Sequence, residues 1–335
     1  MGFPIDRISY RALDPSYEGS VVVADIDRTY LATEFQSLFG MLRIPFEGPA
    51  DKRDIDGMAQ LLRELRHGPN DQSRDTPLYF VSASPRQLRP VIERKMALDG
   101  ILFDGTTFKD WGRVIRRGRL RRLKEQLGFK LTALFAGRIE LPVGASEILI
   151  GDDLETDPLA YALYADALAG RITPEILAKV LRKHRVYEDD IVDITQLLAL
   201  VKPGRGVAGA LIRLERHLHT DDFLPYAPGV LGCSGAFQMA AYMWLNDALA
   251  LPGVLRVAQA LEDRGISPST LAARLRDLVR RAVLPEAQAD ALWKAMEEFS
   301  LVEGSPDWGD VDARWARLRA EIDVRPWTPA AYLED

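Results

Sequence analysis

Apolar residues come in short unbroken runs through the first half of the chain, and three of those runs stop abruptly at polar side chains. Residues 21–24 read Val-Val-Val-Ala and end at Asp25-Ile26-Asp27-Arg28-Thr29. Residues 78–81 read Leu-Tyr-Phe-Val and end at Ser82, ahead of Ala83, Ser84 and Pro85. Residues 148–150 read Ile-Leu-Ile and run into Gly151-Asp152-Asp153-Leu154-Glu155-Thr156-Asp157. Apolar runs without polar alternation mark strands covered on both faces, as in a parallel sheet. Between them the pattern turns helical: a mostly helical insert over 30–66, then helices near 85–98, 118–127, 129–138 and 158–168, with a short strand at 101–103. Strands alternating with helices predict right-handed crossovers and an α/β fold, a Rossmann-like doubly wound parallel sheet.

The pattern changes at Lys202-Pro203-Gly204-Arg205-Gly206, which reads as a break. Beyond it the chain shows mainly amphipathic helices. Leu271, Leu275, Leu278 and Val279 keep one apolar stripe, and Arg274, Arg276, Arg280 and Arg281 fall mostly outside it. The expected organisation is a domain over 1–201, with a small insert at about 30–75, followed by a mainly α-helical accessory region over 207–335. The apolar stretch 229–245 is at the short limit for a membrane span and contains Gln238, so a buried helix is expected there.

Composition narrows the class. The 335 residues are 47% hydrophobic and 27% charged, ordinary for a globular protein. A formal net charge of -6 argues against general nucleic-acid binding. The single cysteine, Cys233, excludes an intramolecular disulfide and a cysteine-rich metal site. The four histidines are too scattered for a zinc site. The N-terminus has no basic segment followed by an apolar core, so no signal peptide is expected and a cytoplasmic location is. Against the overall acidity, Arg113, Arg116, Arg117, Arg119, Arg121, Arg122 and Lys124 form a local basic run. It reads either as a solvated helix face or as a funnel for a polyanion or an anionic lipid surface.

Ligands of open parallel sheets bind beyond the carboxyl ends of the strands. Asp25 is therefore expected at the working edge, with Asp27 on the loop after it. Two acids one residue apart repel each other. They make sense where a hard cation neutralises them or where one carries a proton.

The order Asp25-x-Asp27-x-Thr29, then Ser82, then a lysine, then Gly151-Asp152-Asp153 with Asp157 resembles the haloacid dehalogenase-like (HAD) superfamily of phosphohydrolases. Val81-Ser82-Ala83-Ser84-Pro85-Arg86-Gln87-Leu88 and Gly151-Asp152 with Asp157-Pro158 are similar to the phosphatidate phosphatase catalytic-domain family, and Phe108-Lys109-Asp110-Trp111 is so more loosely. The chain departs from that family at Arg28, where an acid is usual, and at Asp153, where serine is common. The resemblance implies Asp25 as nucleophile, Asp27 as general acid and base, and Ser82 as a holder of phosphoryl oxygens. It implies Mg2+ held by Asp25, the backbone carbonyl of Asp27 and Asp152, with Asp157 or Asp153 holding a metal-bound water. Thr29 is expected to order the loop. The candidate lysines are Lys130 and Lys124, and Lys130 is favoured because it begins a crossover helix whose N-terminus opens at the carboxyl edge of the strands, whereas Lys124 belongs to an earlier Arg-rich helix. A phosphorylated small molecule or lipid is the expected substrate, with peripheral membrane contact. The alternatives are a non-catalytic Mg2+ and phosphate-binding scaffold, a polynucleotide 3′-phosphatase, and a phosphate-sensing receiver domain. In a receiver the lysine follows the last acid, and here both lysines precede Asp152.

Overall fold

The three apolar runs lie side by side at the middle of one seven-stranded sheet. The computed structural model describes residues 4–32, 54–112, 126–215, 219–223 and 229–320. Its strands are β1 (Ile5–Ser9), β2 (Ser20–Asp25), β3 (Leu78–Pro85), β4 (Gly105–Lys109), β5 (Ser146–Asp152), β6 (Val207–Arg213) and β7 (Val230–Cys233). They are ordered β1-β4-β3-β2-β5-β6-β7. Every pairing is parallel except β1 with β4, which is antiparallel.

Alternation along β2 divides the core. Val22 and Ala24 belong to one apolar cluster, Val21 and Val23 to the other. The first cluster takes in α1 (Met58–His67), α2 (Arg89–Leu98), α7 (Ala236–Leu245), α8 (Leu251–Glu262), α9 (Pro268–Arg280) and α10 (Glu286–Glu297). The second takes in α3 (Leu127–Glu140), α4 (Asp157–Leu168), α5 (Pro174–Lys183) and α6 (Glu188–Leu200). A last helix, α11, spans Ala313–Ala320. Both faces of the sheet are thus covered by helices, which is why β2 can be apolar without alternation.

Three details differ from expectation. The strand expected at 101–103 begins later, at Gly105. Leu102 is 66% exposed, and a Cβ on Gly105 would sit 2.5 Å from the carbonyl oxygen of Ile8, so only glycine lets β4 close onto β1. Residues 207–213 and 230–233 are not helical but extend the sheet as β6 and β7. Arg281, expected mostly off the apolar stripe, is fully buried. It donates to the Gly232 carbonyl at 3.0 Å, pairs with Asp277 at 2.8 Å and lies over the Trp315 ring.

The stripe residues, Leu271, Leu275, Leu278 and Val279, are all buried. The apolar stretch 229–245 forms β7 and α7, and among the described residues no helix is long and apolar enough to cross a membrane. Residues 33–53 of the insert lie outside the described residues, as do residues 113–125 with the basic run and Lys124; α1 is the described helix of the insert.

Candidate active site

Asp25 is the last residue of β2 and fully buried. By strand alternation it shares the face of Val21 and Val23, against α3 and α4. Past it the chain folds back on itself. The Tyr30 and Leu31 amides donate to the Ile26 carbonyl at 3.0 and 2.9 Å, and the Arg28 amide donates to the Leu31 carbonyl at 2.8 Å. This tight loop puts Arg28 in the left-handed region at φ 60, unusual for a residue with a side chain.

Lys130 lies in the first turn of α3 and is completely buried. Its ammonium pairs with Asp25 and lies 2.8 Å from Asp157 and 3.6 Å from Glu155. Asp157 opens α4, where the helix N-terminus favours an acid. Its approach to the strand depends on a missing side chain: a Cβ on Gly151 would meet the Asp157 carboxylate at 2.3 Å. Asp152 ends β5, and its Oδ1 accepts the amides of Leu154 and Glu155 at 2.7 and 3.3 Å. Thr29 donates to its Oδ2 at 3.4 Å, which ties the loop after β2 to the end of β5.

Four acids crowd one ammonium here, and ionising all of them at once in a buried site is unfavourable. Burial pushes the Asp25 carboxyl well above the usual carboxylate range, against the pull of Lys130. Burial, reinforced by Asp157, raises Asp152 to about 7. Burial raises Glu155 to about 8 despite Lys130. Burial alone would lower the lysine, but Asp157, Asp25 and Glu155 outweigh it and raise it. One carboxylate oxygen from each of Asp25, Asp152 and Asp157 lies within 4.8 Å of the other two. Asp25 Oδ2 is buried and has no hydrogen-bond partner among the described residues. An all-oxygen donor set with an orphaned carboxylate oxygen fits a hard divalent cation.

Asp27 is held against β3. Ser82 Oγ donates to its Oδ2 at 2.6 Å, and Ser84 Oγ lies 3.0 and 2.9 Å from its two oxygens. The Ser84 amide in turn donates to Ser82 Oγ at 3.0 Å. The β3–β4 register shifts between Ser82 and Pro85, the segment that carries Ser84.

Strand order and loop geometry therefore bring together residues spread over more than a hundred positions of sequence. The decisive comparison is with protein families. Residues 20–178 match the family model of the phosphatidate phosphatase APP1 catalytic domain. The resemblance to the phosphatidate phosphatase catalytic-domain family read from the sequence is borne out over these residues, and the match supports a phosphatase, a hydrolase of phosphate esters. It spans β2, β3, β4 and β5 and every acid of the cluster. No curated protein and no solved structure matches the chain significantly.

Of the residues singled out in the sequence, Asp25, Lys130, Asp152 and Asp157 converge on one point of the matched region, and Asp27 and Ser82 meet beside it. The Ser82 hydroxyl is engaged with Asp27. Asp153 turns toward β6, where its Oδ1 accepts the Glu215 amide at 2.7 Å. Sequence reading gave no role to Ser84, which stands in the quoted Ser-x-Ser-Pro segment, or to Glu155, which stands in the acidic loop. Arg213 carried no signal at all.

Proposed function

We propose that the chain is a Mg2+-dependent phosphomonoester hydrolase of the HAD type that acts on phosphatidate or a related phosphorylated lipid. The observation that carries this reading is the convergence of Asp25, Lys130, Asp152 and Asp157 at the carboxyl ends of β2 and β5, inside the matched region. Asp25, Asp152 and Asp157 would hold the cation, with the Asp27 carbonyl as a further donor. Bound there, Mg2+ neutralises the acids and the phosphate so that one anion can approach another.

In this reading an Asp25 carboxylate oxygen attacks phosphorus, the ester P–O bond breaks and an aspartyl-phosphate forms. Asp27 gives its proton to the departing alkoxide oxygen. It then takes a proton from water, whose oxygen attacks phosphorus and frees Asp25 and inorganic phosphate. Lys130 offsets negative charge on the transferring group. Ser82 and Ser84 hold the Asp27 carboxyl in place. The lipid would be met from the aqueous side, by peripheral contact with the bilayer.

Phosphate release from short-chain phosphatidate, with Mg2+ and with EDTA, tests the proposal on the native chain and Asp25→Asn. Release that needs Mg2+ and vanishes in the variant is expected. Turnover retained by Asp25→Asn would remove Asp25 as nucleophile. Mg2+ binding without release from any phosphomonoester would favour a non-catalytic binding protein.

A further inference from the structure

We infer that Arg213, anchored by Glu215, is a positioning residue that holds the two acidic loops of this site in register from outside the region matched by the family. The inference rests on the phosphatase reading above. Arg213 is the last residue of β6 and stands opposite Asp152 in the β5–β6 register. Its guanidinium donates twice to one acceptor, the Arg28 carbonyl, from Nε at 3.0 Å and from Nη2 at 2.6 Å. Nη2 also pairs with the Glu215 carboxylate. On the other side, the Arg213 carbonyl accepts the Asp153 amide at 3.2 Å, and the Glu215 amide donates to the Asp153 carboxylate at 2.7 Å. The Leu214 amide donates to the Cys233 carbonyl at 2.9 Å, so β7 backs the segment.

Arg28 sits between Asp27 and Thr29, whose side chains reach Ser82 with Ser84 and Asp152 respectively. A left-handed arginine is unfavourable unless its surroundings hold it. Two donors on its carbonyl do so. A shift of that carbonyl would move Asp27 and Thr29 together. Both contacts to Arg28 come from one planar fork, a geometry a lysine ammonium does not reproduce although it carries the same charge.

The test uses the full chain with Arg213→Lys and Glu215→Gln. The readouts are steady-state hydrolysis of short-chain phosphatidate, Mg2+ affinity by titration calorimetry, and amide exchange over residues 26–31. Arg213→Lys should lower kcat about tenfold with KM little changed, as supporting residues of metal sites commonly do. It should also weaken Mg2+ binding and speed exchange at Arg28 and Leu31, with the thermal midpoint near native. Glu215→Gln should act in the same direction by less, and it carries the test if Arg213→Lys does not fold. Native kcat, Mg2+ affinity and exchange in the lysine variant would overturn the inference, because charge alone would then suffice. Full turnover in Asp25→Asn would instead overturn the reading of the reaction, and the exchange rates would still decide the positioning role.

Discussion

The Ser84 hydroxyl lies 3.0 and 2.9 Å from the two carboxylate oxygens of Asp27. With Ser82 at 2.6 Å on the same carboxylate, Asp27 is held from one side by two adjacent hydroxyls of β3. An intramolecular hydrogen bond contributes about 0.5–1.5 kcal/mol. Ser84→Ala is therefore expected to lower kcat by about two- to tenfold, leaving KM near native and Ser84→Thr largely active. Steady-state kinetics on the three proteins check this, and a Ser84→Ala enzyme with native kcat would show the clamp to be dispensable.

Gly151→Ala is expected to damage the site without replacing any of its acids. The new methyl would meet Asp157 at 2.3 Å and push its carboxylate away from Asp25 and Lys130. Overpacking of this kind costs about 1–3 kcal/mol. Thermal unfolding and Mg2+ titration of the variant should both register the change. Unaltered Mg2+ affinity would mean that Asp157 does not hold the cation.

Lys130→Met leaves Asp25 and Asp157 buried together without their ammonium. Removing one partner of a buried pair costs about 3–5 kcal/mol. The loss should appear in urea unfolding with EDTA and shrink in saturating Mg2+, since a ligand that binds the folded state stabilises it. An equal loss under both conditions would count against cation binding at this cluster.

Away from the site, Glu147 at the start of β5 is fully enclosed, accepts the Tyr164 hydroxyl at 2.7 Å and lies 3.7 Å from Arg138. Burial outweighs both partners and raises its carboxyl from 4.5 to about 7. The folded chain then holds this proton more tightly than the unfolded chain. Its contribution is fully present below pH 4.5 and falls away as pH rises to about 7, by about 3 kcal/mol at 1.36 kcal/mol per unit. Denaturant midpoints of Glu147→Gln measured from pH 4.5 to 8 should show a flatter profile and higher stability than native at pH 8. A slope identical to the native one would assign it to other groups.

The middle of the sheet was legible because its strands are buried on both faces and so lack polar alternation. Asp25 and Asp152 were legible because they come at the ends of those runs, and Asp157 because it lies in the acidic loop that follows. The flanks were harder to read. β6 carries Gly209 between two alanines and β7 is only Val-Leu-Gly-Cys, so neither presents an unbroken bulky run. β1 is half-exposed and paired on one side alone, so polar residues interrupt it. Within the site, Ser84 was in view, but no linear pattern shows that two hydroxyls meet one carboxylate. Arg213 acts on a backbone carbonyl, and any residue type supplies one. The burial of Arg281 is not legible in the sequence, because helix periodicity does not anticipate a guanidinium enclosed by Gly232, Asp277 and Trp315.

The strand order has a mechanical consequence. β2 is fourth of seven, and β3 and β5 flank it directly. Sheets fray from their rims, where each strand has one neighbour to lose, and the interior opens last. Asp25, Ser82 and Asp152 all hang from the three innermost strands. Loosening at β1 can therefore proceed some way while the spacing of these residues stays set by unbroken ladders, whereas loosening at β7 reaches the loop after β2 sooner, through Cys233, Leu214 and Arg213.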